Sequence, residues 1–332
     1  MPLLDFTKNG IYCSQAGVYI DPWRKVEKAI ITHGHSDHAR RGHSAYLCTH
    51  RAKPTIKHRL GKKINIESID FGEQINMNGV HFSFHPAGHI LGSAQVRVEY
   101  QGEVWVVSGD YKTEEDGFTI PFEVVPCHTF ITECTFGLPV YKWRPQNEVF
   151  EEINNWWYEN ANLGRVSLLT GYSLGKAQRL LQNVDPEIGQ IFVHPTIEKV
   201  NEVIRNQGVE LNPTTEVTAD LGKEDFKGSL VIATPSVINT PWMRQMGKVS
   251  TATASGWMMN RKARKNREVD RGFVLSDHGD WDDLIRTIKE TGAENIFVTH
   301  GFTKELNQWL NESGFNSKIV KTKFTGEEDA GV

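Results

Sequence analysis

The sequence predicts an α/β protein with a second α/β segment set inside the first, and three observations predict it. An apolar run, Lys28-Ala-Ile-Ile-Thr32, stops at His33-Gly-His35-Ser-Asp37-His38, as a buried strand does when it delivers polar side chains to its C-terminal end. Between residues 140 and 268 strand-like and helix-like runs alternate, the rhythm of a parallel sheet with crossover helices. Metal-type residues then return at Asp277-His278 and His300, as if the first part resumed after an interruption.

At 332 residues the chain has room for one large or two ordinary cores, at roughly 100–200 residues per domain. A content of 39% hydrophobic and 23% charged residues is that of a globular protein and excludes wholesale disorder. The net charge of −4 carries no global signal for a polyanionic partner, but the local distribution differs. No acid lies between Asp37 and Glu67, whereas Arg40, Arg41, Arg51, Lys53, Lys57, Arg59, Lys62 and Lys63 do; Arg261, Lys262, Arg264, Lys265 and Arg267 form a second cluster. Such runs are ordinarily solvated faces; flanking metal-type residues, they favour an anionic substrate.

Cys13, Cys48, Cys127 and Cys134 include no Cys-x-x-Cys pair, which argues against a zinc knuckle or a disulfide framework and for reduced thiols. There is no charged segment leading into an apolar one at the N-terminus, and no run approaches the roughly 18 apolar residues of a membrane span. A cytoplasmic location with no membrane partner is expected.

In chain order, Gly10–Cys13 and Gly17–Asp21 read as a hairpin, with Asp21 either capping a turn or orienting an imidazole from behind. The four donors His33, His35, Asp37 and His38 can serve two metal ions, since imidazole nitrogen favours zinc and a carboxylate suits a second hard or borderline cation. Residues 39–63 read as helix and loop, followed by strands at Val80–Phe84, Gln95–Tyr100 and Val104–Val107. His89, between glycines that allow a close backbone approach to an ion, and Asp110, after an apolar strand, are the next candidate ligands. Residues 129–139 read as a further strand and turn, with Glu133 at the end of the apolar strand, either as a solvated loop carboxylate or as part of the same site.

A helix over 147–162 and a strand over 165–170 lead into Gly171-Tyr-Ser173-Leu-Gly175-Lys176, a turn that opens a helix and offers a phosphate cradle. The Walker spacing is absent, which argues against a nucleoside triphosphate site. Further runs follow at 190–194, 196–208 and 229–234. The last part reads as a β-α-β unit, with strands ending at His278 and His300 on either side of a helix over 280–291, which would put both imidazoles at one sheet edge. The acidic tail after Glu327 is expected to fray.

These residues, taken as a set, resemble a known family. Asp21, His33-x-His35-x-Asp37-His38, His89 and Asp110 are similar to the first four motifs of the metallo-β-lactamase fold; Glu133, His278 and His300 resemble three further motifs of its β-CASP nucleases. Ser173-Leu-Gly-Lys-Ala-Gln178 is similar to a recurring segment of the β-CASP insert. Tyr19–Trp23, Ala254–Met258 and Asp270–His278 resemble bacterial ligase-associated DNA exonucleases, which have often carried the label of mRNA 3′-end processing factors.

The resemblance implies a four-layer αβ/βα metallo-β-lactamase sandwich over 1–139 and 269–326, a β-CASP-like insert over 140–268 and a tail at 327–332. It implies two Zn²⁺ ions, with Mn²⁺ or Fe as other metals the ligand types admit. His33, His35 and His89 would bind one, Asp37, His38 and His300 the other, with Asp110 bridging. The implied activity is two-metal phosphodiester hydrolysis on DNA ends in DNA repair, exonuclease ahead of endonuclease, on single-stranded or processed DNA, with a functional link to a DNA ligase and helicase. Asp37, His278 and Glu133 are the expected catalytic residues, His278 as general acid oriented by Glu133, with Asp21 behind the ligands. Ser173, Lys176, Arg261 and Arg264 are candidates for the nucleic-acid backbone, with Trp242 and Trp257 for base stacking.

One feature pulls the other way. DNA-acting eukaryotic β-CASP members tend to lack a histidine at the last motif and RNA-acting ones carry it, as His300 does here, so an RNA-processing ribonuclease is the alternative. A non-catalytic nucleic-acid-binding scaffold is the alternative of another class, and it predicts broken metal motifs.

Overall fold

The structure is a computed structural model and describes residues 2–260, 262, 265 and 268–323. It is mixed α/β with three sheets. Two compact units divide it: one runs from the N-terminus to Glu115, through Thr119–Lys142 and on from His278, the other takes Asp116–Phe118 and Trp143–Asp277. Arg261, Arg264 and the tail at 327–332 lie outside the described residues.

In the first unit, a six-stranded sheet runs in chain order through Asp5–Phe6, Ile11–Cys13, Val18–Ile20, Lys28–Ile30, Ala45–Thr49 and Ile66–Ile69. Its first three strands are antiparallel and its last four, counting Val18–Ile20 again, are parallel. Asp21, His33 and His50 therefore follow strand ends at the same edge. The second sheet has seven strands, with Thr129–Cys134 parallel to both Glu103–Val107 and Asn295–Gly301 and an antiparallel meander on one side.

Side-chain alternation explains how these sheets pack. Val96 and Val98 point into a cluster with Ile11, Val18, Ile30 and Leu47 from the six-stranded sheet, while Arg97 and Glu99 form an ion pair of 2.7 Å on the other face. The opposite faces are apolar too. Helix Lys53–Leu60 packs Ile56 and Leu60 against Ala29, Tyr46 and Cys48. Helices Trp281–Glu290 and Thr303–Glu312 pack Leu284, Ile288, Leu306 and Leu310 against Phe130, Ile296 and Val298.

The second unit holds six parallel strands, in the order Thr215–Glu216, Ile191–Val193, Leu230–Ala233, Val166–Thr170, Val249–Ala254 and Arg271–Phe273. Its central strands are buried along their whole length, as strands covered on both faces must be. Leu230 and Ile232 enter one cluster, Val231 and Ala233 the other. Helix Gln146–Asn162 presents Val149, Phe150, Ile153, Trp156 and Trp157 to the first, the spacing of one helical face.

The structure differs from the sequence reading in several places. Residues 39–63 contain a strand, Ala45–Thr49, as well as a helix; its partners, Ile30 and Ile66, come from either side in sequence, so no local signal announced it. The second unit reaches Asp277 rather than 268, because Arg271–Phe273 pairs with Ala252–Ala254 as an edge strand of that unit's sheet. The strands preceding His278 and His300 thus lie in different sheets, and the expected β-α-β unit is not formed. Among the described residues no helix is long and apolar enough to cross a membrane.

All four cysteines are free and buried, and burial pushes the thiols of Cys48 and Cys127 up to about 12. The folded protein at pH 8 should therefore leave Ellman's reagent uncoloured and release four equivalents in denaturant; a fast-reacting thiol in the folded state would contradict this packing.

Candidate metal centre

The site is assembled from strand ends in the first unit. Lys28–Ile30 delivers His33, which is fully buried, and the loop after it carries His35, half-exposed, and buried Asp37 and His38. His89 comes from the turn after Val80–Pro86, where Ser93 Oγ accepts from the backbone N–H groups of His89 and Ile90 at 3.0 and 3.2 Å. Asp110 follows Glu103–Val107. Gly109 before it has φ +57°, and a Cβ there would lie 2.8 Å from the Thr32 side chain, so only glycine lets the two strand ends approach.

One ligating atom from each of His33, His35, His89 and Asp110 lies within 4.8 Å of the others. Asp110 Oδ2 is 3.4 Å from His33 Nε2, 3.4 Å from His38 Nε2 and 3.8 Å from His89 Nε2. His38 Nε2 is also 3.6 Å from Asp37 Oδ2. The His300 ring lies 6.3 Å from that of His38, and His300 is outside the four-residue convergence. Asp110 thus stands between His33 and His38, two imidazoles assigned by resemblance to different ions.

The electrostatics ask for positive charge. Burial alone would strip His38 of its proton, but Asp110, Asp37 and Asp21 override it and raise its pKa well above the usual imidazole value. Burial, then the His38 charge, drives His33 well below that value. Burial works against the Asp110 charge, yet His38 and His33 hold its carboxyl well below the usual range. His33 Nε2 and Asp110 Oδ1 are buried with no hydrogen-bond partner, a costly arrangement unless something else satisfies them. Inward-facing imidazoles around an ionised carboxylate fit divalent metal, and zinc in particular.

Asp21 lies behind the ligands. Its Oδ2 is 2.7 Å from His38 Nδ1, and its two oxygens accept from Thr32 N at 2.8 Å and Thr32 Oγ1 at 2.5 Å. This fixes which nitrogen His38 turns inward. Thr32 escaped the sequence reading; its only signal was its position between the strand and the first ligand.

His278 sits beside this set, its ring 4.6 Å from that of His89. Its Nδ1 is 2.8 and 3.0 Å from the two oxygens of Glu133. Glu133 also accepts from Tyr111 N at 2.8 Å, Thr135 N at 3.3 Å and the Thr135 hydroxyl. Asp110, Glu133 and His278 likewise converge closely enough to suit a metal, but with both Glu133 oxygens already engaged, orientation of His278 is the better account. Thr135 and Tyr111 were not anticipated, since a hydroxyl and a backbone N–H leave no sequence signature.

Other candidates fare differently. Lys176 is fully buried in the second unit, its Nζ 2.6 Å from Leu275 O and 2.8 Å from Asp277 Oδ1, so it anchors that strand end rather than facing a phosphate. The turn at Gly175 is engaged by Gln178, whose Oε1 accepts from Gly175 N at 2.8 Å, which leaves a poor cradle. Ser173 is half-buried there, as are Trp242 and Trp257. Gly88 and Gly92, read as making room for an ion, instead make room for backbone: a Cβ would lie 2.2 Å from Lys112 O and 2.3 Å from Ala52 N respectively.

No family model matches the chain. A protein named Probable DNA ligase from Opitutus terrae is 31% identical over 317 residues, covering 94% of this chain and 30% of that one. Cleavage and polyadenylation specificity factor 73 of Drosophila melanogaster is 32% identical over 295 residues, covering 73% and 43%. Cleavage and polyadenylation specificity factor subunit 3-I of Arabidopsis thaliana is 27% identical over 293 residues, covering 73% and 42%. The chain thus spans less than half the length of these curated relatives. A crystal structure of a protein of unknown function from Enterococcus faecalis superposes with TM-score 0.60 at 11% identity, covering 90% of this chain and 80% of that one, which shows a shared fold.

A metal-type centre at strand ends, on a chain interrupted by an α/β unit, defines a class of metallo-β-lactamase fold proteins. Within that class, the chain belongs to the β-CASP nuclease family.

Replacing Lys176 with Ala should cost about 1.5–3 kcal/mol in denaturant unfolding, because its buried charged hydrogen bonds to Leu275 O and Asp277 are lost while Arg179 still faces Asp277 at 3.0 Å. A backbone-contact role alone would weaken oligonucleotide binding and leave stability unchanged.

Proposed function

We propose that the chain is a metal-dependent phosphodiester hydrolase acting on DNA ends in repair, as an exonuclease rather than an endonuclease. The observation that carries this reading is the convergence of His33, His35, His89 and Asp110 beside His278, an imidazole held by a carboxylate. The four-layer sandwich fits the way helices cover the outer faces of the two packed sheets. The choice of DNA is supported by the Probable DNA ligase relative, whose match spans both units. A functional link to a ligase draws on the same likeness; the link to a helicase rests on the sequence resemblance to ligase-associated exonucleases alone.

In this reading His33, His35 and His89 would hold one zinc ion, Asp37, His38 and His300 the second, and Asp110 would face both. When bound, a zinc pair supplies Lewis acidity, lowering the pKa of water from 15.7 towards about 7 and offsetting charge on the phosphate. Asp21 keeps His38 in the tautomer that presents Nε2. Glu133 stabilises the protonated form of His278 through Nδ1, leaving Nε2 to give a proton to the departing sugar oxygen. Phe136, whose ring meets that of His278 edge-on at 6.0 Å, walls the imidazole on an apolar side.

RNA processing is the second reading, favoured by His300 at the last motif and by relatives named Endoribonuclease YSH1, one of them 31% identical over 323 residues. Matched single-stranded DNA and RNA, labelled at either end and incubated with and without chelator, separate the two. Progressive shortening of DNA from one end, abolished by chelation, is the expected result; preferential cutting of RNA would overturn the DNA assignment.

Replacing His278 with Ala should slow cleavage by about 10²- to 10⁴-fold, with zinc content by elemental analysis unchanged. Loss of zinc in that variant would make His278 a ligand instead.

A further inference from the structure

We propose that the helix Lys53–Leu60 and the two lysines after it form the track along which a nucleic-acid phosphate backbone reaches the metal centre, an inference that rests on the function proposed above. Both ends of this helix are fastened to loops that carry the candidate ligands. At its start, the backbone of Arg51 and Ala52 lies against Gly92, so close that a Cβ on Gly92 would be 2.3 Å from Ala52 N, and Thr49 Oγ1 donates to Gly92 O at 2.7 Å. Gly92 belongs to the turn that presents His89. At its end, the guanidinium of Arg59 donates to the carbonyl of Gly34, between His33 and His35, and lies 3.5 Å from that of Ala39, just after His38. Arg41 in turn donates to Arg59 O at 2.7 Å. The helix is therefore tied to the histidine loop through one cation, and its remaining cations are left for other work.

Those cations are Lys53 and Lys57, half-exposed, and Lys62 and Lys63, exposed. None of the four makes an ion pair among the described residues, and no acid occurs in the sequence between Asp37 and Glu67. Local helix physics accounts for only part of this. Lys57, His58 and Arg59 in the last turn complement the helix dipole. Lys53 opens the helix with no acid in the first turn, where a cation opposes the dipole, and Lys62 and Lys63 lie beyond the turn that Gly61 closes. Cations placed against or outside the local rule point to a partner. Four lysines without ion pairs, on and just after a helix fastened to the candidate ligand loops, in a chain of net charge −4, fit a polyanionic backbone held without regard to base identity.

The test uses the full chain with chelator present, so that binding is read without turnover. Affinity for a fluorescent single-stranded DNA is measured by anisotropy from about 50 to about 200 mM salt. The track variant replaces Lys53, Lys57, Lys62 and Lys63 with Gln; the control replaces exposed Lys199, Lys223, Lys227 and Lys248 with Gln, an equal change in charge. Each lost contact should lower the steepness (absolute slope) of log K against log salt by about 0.7, so that of the track variant should fall by about two to three and the control should match wild type. An unchanged slope in the track variant, an equal fall in the control, or no binding by wild type would overturn the proposal. Unaltered thermal melting confirms that the substitutions leave the fold intact. Cleavage by wild type with zinc restored reads the hydrolase assignment separately: a shallower slope without cleavage removes that assignment and keeps the track, whereas cleavage with an unchanged slope removes the track alone.

Discussion

A buried carboxylate surrounded by imidazoles is the constraint on which the first unit depends. Asp110 is 4% exposed and its Oδ2 faces His33, His38 and His89. An ionised group so far from water is tolerated only when opposite charge or strong donors surround it. Strand ends from two sheets supply those donors, and Gly109 removes the side chain that would keep Asp110 from Thr32. The shared apolar cluster that packs the two sheets together holds their ends at this spacing. A displaced strand would leave charge buried without its counterpart.

The same economy governs the residues behind the site. Asp21 and Glu133 are each committed to several donors, and each also holds a ring nitrogen, Asp21 through one oxygen at Nδ1 of His38 and Glu133 through both at Nδ1 of His278. Two of the site residues, Asp21 and His300, adopt positive φ, +43° and +54°, a conformation that costs about 1–3 kcal/mol outside glycine and persists where the surroundings over-determine it. Hydrogen bonding explains Asp21. At His300 the chain must turn sharply, since Gly301 follows with φ +94° and lies against the backbone of Cys134 and Thr135. Rigid sheets thus carry irregular loops whose conformations are imposed from outside.

The helix Lys53–Leu60 shows how a peripheral element acquires meaning from its attachments. Taken alone it is a short basic helix with little amphipathic character, easily read as a solvated face. Fastened through Gly92 and Arg59 to the loops that present His89 and His33–His38, it becomes a fixed continuation of the site, and its charge acquires a direction.

Residue chemistry was legible in the amino-acid sequence. Imidazoles and carboxylates following apolar runs stand out because a fold rarely places so many costly groups after buried strands without a use for them, and His33, His35, His38, His89, Asp110 and His278 were all visible in this way. The central strands of the second unit were visible too, because burial on both faces writes a continuous apolar run. Partnership was decided by tertiary structure. Strand Ala45–Thr49 depends on neighbours from either side in sequence, Arg271–Phe273 joined the sheet of the second unit although it runs straight on to His278, and Lys176 proved to be an internal anchor because Asp277 meets it across the fold. Hydrogen bonds and ion pairs between residues distant in sequence have no local pattern, so which carboxylate holds which imidazole, and which lysine faces water, emerged only when the chain was packed.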